Sequence, residues 1–383
     1  MSVILELEDN MSLGVFLMTV NTTPDITSLN FAYALGEISL TNFIKQLPED
    51  SQRVYMFGVP TYNNLGDQAI NEAQRRFFME NFPEMVFIEI VETQTYQAID
   101  ELPPLLRSDD IIAYTGGGNI GSLHTEHEEP RRKVFSTFVN NKTISFPQSV
   151  YFEDTEEGRE ELRKSQEAYN KNPNLTVVAR DTQSLDYLKE NFKVNAIFTA
   201  DMVLSVQPER PDFDRDGVLF IMREDNEKVT SQELWDRLSN NLEKLDEDVE
   251  QTDTLLPYKD ASENINSNKT NSPLDSIRMS ERSWLVNLKL DQIKTSEVVV
   301  TDRLHAMIFS VITHTPCLVF DNSYGKASSF YYNWFEDLDY IQHTTKRDPD
   351  KLVSMIEDLK NYDHSYGHDF SHSYENLIDV IKN

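Results

Sequence analysis

A chain of 383 residues, 39% hydrophobic and 10% aromatic, is too long for one ordinary core and suits two domains. Its 35 basic against 65 acidic residues give a net charge of −30, which excludes nucleic acid and anionic membranes as natural partners. The apolar run at 13–20 falls far short of the roughly 20 residues of a membrane span, and it follows an acidic stretch, unlike a signal peptide. The single cysteine, Cys317, sits in an apolar segment, so the expected compartment is the cytoplasm, with a Golgi lumen as the alternative for a eukaryotic source.

Residues 1–50 read as an N-terminal extension with a weakly helical stretch near 29–47. From Arg53 onward short apolar runs (RVYMFGVP, MVFIEIV, DIIAYT, TISFPQSV, LTVVA, AIFTAD) alternate with amphipathic stretches. That alternation predicts a parallel sheet with helices on both faces, an α/β unit over 51–208. The polar, proline-bearing stretch QPERPDFDRD reads as a linker, and a second α/β series fills 209–383, with strands in GVLFIMRE, SEVVVT and CLVF. Within it, 250–276 lacks periodicity and is expected to be a flexible insert or lid.

Open parallel sheets bind ligands beyond the carboxyl ends of their strands, near helix N-termini. The unusual residues fall there. Asp67 follows the first strand, either as a helix cap or as a catalytic group. A glycine run at 116–121 follows the DIIAYT strand and predicts a tight strand-to-helix turn, where the N–H groups of Gly117 and Gly118 could hold an anion. Its spacing fits neither a Walker loop nor a dinucleotide fingerprint. Arg180 and Arg303 each end a buried strand, which is costly without an anionic partner. Either the neighbouring Asp181 and Asp302 supply that partner, or a ligand does. With His305 at a helix start and Lys326 after the next strand, these arginines make a candidate site for a small, highly charged anion. His124 and His127 in H-T-E-H lack zincin spacing, and no other cluster has metal-ligand spacing, so no metal is expected.

The ordered set NLGDQAI (64–70), TGGGNIGSLH (115–124), FPQS (146–149), ARD (179–181), ADM (200–202), TDRLHAMI (301–308) and DNSYGK (321–326) resembles the polysaccharide pyruvyl transferases. The resemblance implies two Rossmann-like domains facing across a cleft, as in B-type glycosyltransferases, with the acceptor on the first domain and the donor on the second. It implies phosphoenolpyruvate as co-substrate, bound by Arg180, Arg303, the backbone of Leu304 and His305; Lys326, from the reading of the residues above, joins them, and no cofactor is expected. A sugar acceptor would meet Asp67, Asn119 and His124. In the chemistry so implied, Arg180 and Arg303 neutralise the donor and stabilise departing phosphate, His305 acts as general acid or only as a phosphate ligand, and Asp67 serves as base or hydroxyl orienter. The rivals are a nucleotide-sugar glycosyltransferase of the same architecture and a catalytically inactive carbohydrate-binding protein.

Overall fold

The computed structural model describes residues 25–206, 214–224, 228–255, 279–321, 325–361 and 368–383. The 13–20 run and most of the linker and the insert lie outside them. Two short helices, α1 (Ile26–Ala34) and α2 (Leu40–Ile44), open the described chain, where helix was expected. The first sheet follows, built from β1 (Arg53–Val59), β2 (Val86–Val91), β3 (Ile111–Tyr114), β4 (Gly117–Gly121), β5 (Thr143–Tyr151), β6 (Leu175–Ala179) and β7 (Asn195–Phe198). Its order is β2-β1-β3-β5-β6-β7, with β4 paired to β5. Its crossovers carry α3 (Leu65–Asn81), α4 (Thr95–Glu101), α5 (Thr125–Thr137), α6 (Glu156–Asn170) and α7 (Thr182–Asn191).

The second sheet has the order β12-β11-β10-β8-β9. Its strands are β8 (Val218–Ile221), β9 (Val249–Thr252), β10 (Val298–Thr301), β11 (Cys317–Val319) and β12 (Ile341–His343). The accompanying helices are α8 (Gln232–Glu243), α9 (Met279–Thr295), α10 (Leu304–Ile312), α11 (Lys326–Trp334), α12 (Pro349–Asn361) and α13 (Glu375–Lys382). Every strand pairing in both sheets is parallel. The architecture is therefore two Rossmann-like units facing across a cleft, as expected.

Successive strand residues face opposite sides, so each sheet needs two cores. Tyr55 and Phe57 of β1 join an outer core with α1, α5 and Tyr169 of α6. Val54 and Met56 of the same strand join a middle core that also takes Ile293 of α9, Met307 of α10 and Val299 of β10. Trp235 of α8 and Leu352 of α12 cover the far face of the second sheet.

Three features differ from the sequence reading. The glycine run does not turn at once: Gly117 to Gly121 continue as β4, with Ile120 paired to Val150, and α5 begins only at Thr125. Gly117 and Gly121 adopt φ of 146° and 149°, and a Cβ on Gly121 would lie 1.8 Å from the Tyr151 carbonyl oxygen, so only glycine lets β4 run this close to β5. Residues 250–252 of the expected insert belong to edge strand β9, and Leu255 beyond it bridges to Asn64 of the first unit; 256–276 lie outside the described residues. Finally, α13, which follows the second unit in sequence, packs on the first: Lys142 Nζ donates to the Ile381 carbonyl at 2.9 Å.

Candidate functional site

The carboxyl ends of the two sheets face each other across a cleft of about 230 Å³. Asp67, Gly118, Asn119 and His124 line its first wall; Arg303, Leu304, His305 and Lys326 line the second. Tyr62, His127, Arg223 and Asp302 join them.

The motifs around the glycine run hold it in place. Gln74 Oε1 accepts from the Gly116 amide at 2.8 Å, and Gln148 donates to the Thr115 carbonyl at 2.8 Å while accepting from the Asn119 amide at 3.2 Å. The buried Arg131 donates to both the carbonyl and the side-chain oxygen of Asn119, so the amide nitrogen of that side chain is the end left for a ligand. Gly117 is buried beneath the cleft and does not line it; Gly118 does. His124 is the N-cap of α5, and its Nδ1 stands 3.5 Å from Glu126 Oε1. Asp67 lies in the first turn of α3; the cap there is Asn64, which accepts from the Gly66 amide at 3.0 Å.

Neither strand-end arginine pairs with its neighbour in sequence, and the two stand on different units, Arg180 after β6 of the first sheet and Arg303 after β10 of the second. Arg180 is fully buried and bonds Asp201 through Nη1 at 2.5 Å. Asp181 instead caps α7, accepting from the Ser184 amide, and also accepts from the Ser149 hydroxyl. Arg303 makes a bidentate pair with Asp253, Nε at 2.8 Å and Nη2 at 2.7 Å, while Asp302 accepts from the Arg223 amide. Burial pushes the Asp201 carboxyl up, but His305 and Arg180 outweigh it and hold it well below the usual carboxylate range. At 3.7 Å the His305 Nε2–Asp201 Oδ2 approach is too long for a formed hydrogen bond.

Two buried nitrogens, Arg180 Nη2 and His305 Nε2, have no hydrogen-bond partner among the described residues. The first points toward the glycine run: a Cβ on Gly118 would stand 2.6 Å from Arg180 Nη2 and 2.0 Å from Lys326 Nζ. Arg180 itself sits behind the cleft wall and reaches it only past Gly118. The N-terminus of α10 is open as well, because its N-cap is Arg303, whose side chain makes no capping bond. By contrast, Asp321 accepts from the Ala327 and Ser328 amides at the start of α11. A buried guanidinium donor and a lysine beside an uncapped helix N-terminus suit an anion. Among the described residues, no three His, Cys, Asp or Glu stand where they could hold a metal ion.

Arg223 was passed over in the sequence, although it ends a buried strand just as Arg180 and Arg303 do. Tyr62 and His127 also line the cleft, and Asp253 meets Arg303 from β9's end, without a local pattern that singles any of them out.

The family described as polysaccharide pyruvyl transferase matches residues 64–324. General stress protein 30 of Bacillus subtilis is 46% identical over 335 residues, covering 88% of this chain and 93% of that protein. Pyruvyl transferase 1 of Schizosaccharomyces pombe is 29% identical over 296 residues, 74% of this chain and 70% of the relative. Among solved structures, a functionally uncharacterised protein of Klebsiella pneumoniae superposes with a TM-score of 0.51 at 18% identity, over 84% of this chain and 99% of that one. A protein described as a UDP-N-acetylglucosamine 2-epimerase from Listeria monocytogenes gives 0.52 at 10% identity, over 86% and 95%. At such identities these two structures speak for the fold alone.

Proposed function

Because the chain belongs to the polysaccharide pyruvyl transferase family and is therefore a transferase, we propose that it moves the pyruvyl group of phosphoenolpyruvate onto two hydroxyls of a glycan or glycan-precursor sugar. The observation that carries this donor is the pair of buried nitrogens without a hydrogen bond among the described residues, Arg180 Nη2 and His305 Nε2, beside the N-terminus of α10, which has no side-chain cap. A buried donor without an acceptor costs about 1–3 kcal/mol, a cost that an anionic ligand removes.

In this reading Arg180 and Lys326 take one charged group of phosphoenolpyruvate, and Arg303 with the Leu304 and His305 amides takes the other. His305 gives a proton to the methylene carbon, which makes the central carbon electrophilic. Asp67 accepts the proton of the attacking sugar hydroxyl, held by Asn119 and His124. Phosphate departs into the same cationic wall, and a second hydroxyl closes the ketal. The protein's part is preorganised charge, not a bound cofactor.

The test is a phosphate-release assay with phosphoenolpyruvate and a galactoside or N-acetylhexosamine acceptor, with the ketal identified by mass. Arg180→Ala and Arg303→Ala should each lower turnover by at least about 10²-fold, the scale of one lost transition-state donor, and leave near-native circular dichroism. Full turnover in either variant would remove that arginine from the donor site.

A further inference from the structure

The first wall of the cleft carries a second arrangement that the steps above leave unused. His127 lies in the first turn of α5, with Nδ1 3.6 Å from Glu92 Oε2. Glu92 is itself fixed, because its Oε1 accepts from the Thr61 hydroxyl at 2.9 Å and from the Thr61 amide at 3.4 Å. The imidazole packs against Tyr62, ring centroids 5.2 Å apart, and the Tyr62 hydroxyl donates to Asp67 Oδ2 at 3.1 Å. His127, Tyr62 and Asp67 all line the cleft, so two proton acceptors are joined through one tyrosine.

Closing a ketal consumes two hydroxyls, and both must lose a proton. The central carbon of phosphoenolpyruvate gives up its π bond and its bond to the phosphate ester oxygen, and gains two bonds to sugar oxygens. One proton ends on the methylene carbon, making the methyl group; the other leaves with phosphate. A carboxylate that still holds the first proton, until that proton passes to the departing phosphate, cannot take the second.

We propose that His127, positioned by Glu92, accepts the proton of the second, ring-closing hydroxyl, as Asp67 accepts that of the first. The inference rests on the pyruvyl-transfer reading above. The surroundings of the ring agree with it. Burial holds His127 below the ordinary imidazole value and Arg131 works the same way, against Glu92, Asp67 and Glu126, which pull it up. The net effect holds the ring toward its neutral form, the form that can accept a proton. The remaining neighbours bring no charge that reverses this. Tyr62 is a phenol pushed well above its usual value by burial, Asp67 and Glu92; the Tyr114 hydroxyl donates to the His127 carbonyl; and the His124 ring stands 6.3 Å away.

The experiment measures phosphate, pyruvate and ketal together, with phosphoenolpyruvate and a galactoside, for the unaltered chain, His127→Gln and Glu92→Gln. The unaltered chain should give phosphate and ketal one for one. In His127→Gln ketal should fall about 10²-fold, the low end of what a positioned base contributes. Phosphate should fall less, the difference appearing as free pyruvate, because water captures the open intermediate. In Glu92→Gln a charge that raises His127 is gone, so the acid limb of ketal formation should move to lower pH. Phosphate and ketal falling in step in His127→Gln would overturn the inference, as would an acid limb that stays in place in Glu92→Gln. If the unaltered chain forms no ketal, the pyruvyl-transfer reading itself fails, a result seen before either variant is made.

Discussion

A methyl group on Gly66 would stand 2.3 Å from His305 Nδ1 and 2.8 Å from its Cβ, so this glycine lets α3 of the first unit close against an imidazole of the second. The clash falls near the root of the ring, where a rotamer change gives little relief. Gly66→Ala should therefore displace His305 and lower kcat/KM for phosphoenolpyruvate at least about tenfold. Alanine is favoured over glycine within a helix by about 1 kcal/mol, which offsets part of the strain, so the melting temperature should move far less than activity. Steady-state kinetics beside a thermal melt checks this; unaltered kcat/KM would show that the close approach is not needed. The same scale shows what the sequence made legible. Arg180 and Arg303 stood out because a strand-end arginine is costly, and both lie in charged, buried settings. Their partners were not legible, because adjacent residues at a strand end point to opposite sides. Asp181 turns to cap α7, and the carboxylates that meet the arginines come from 201 and 253.

The helices around the cleft differ in how their N-termini are satisfied, and that difference was hidden in the sequence. Asn64, Asp181 and Asp321 serve α3, α7 and α11, whereas α10 has only Arg303 at its N-cap, turned away to Asp253. Substituting a capping residue there separates stability from function. Arg303→Ser and Arg303→Ala both remove the guanidinium and leave Asp253 alike, yet only serine can accept from the α10 amides. Arg303→Ser should be the more stable by about 1 kcal/mol in urea denaturation, and both should lack transfer activity. Equal stabilities would show that the α10 N-terminus is already satisfied. Two other elements escaped the sequence for physical reasons. A glycine-rich strand has no β-propensity of its own, and β4 exists because β5 offers it a partner. Residues 253–255 after β9 read as aperiodic because they are held by the other unit: the Leu65 amide donates to the Thr254 carbonyl at 3.0 Å.

At the scale of the molecule, a net charge of −30 surrounds a cleft whose walls present Arg223, Arg303, His305 and Lys326, so the basic character of the cleft is a local property set against the global field. Holding those walls in register needs more than a hinge, and the packing supplies it. The middle core draws on both sheets, and Arg282 of α9 crosses it to bond Glu89 of β2 at 2.7 Å and Gln68 of α3 at 2.9 Å, all three buried. The chain then returns, and α13 places Leu377 and Ile381 in that shared core, while the Tyr374 hydroxyl donates to the backbone carbonyl of Asp201, whose carboxylate pairs with Arg180. Two units joined this way should unfold as one. Leu377 is fully buried, so Leu377→Ala should cost about 2–5 kcal/mol. The loss should lower the temperature of a single calorimetric transition for the whole chain, because the cavity opens in a core that both sheets share. If each sheet instead had its own separable core, the substitution would shift one of two endotherms and leave the other in place. Two resolved transitions, only one of them moved, would refute the shared core and with it the fixed geometry of the cleft.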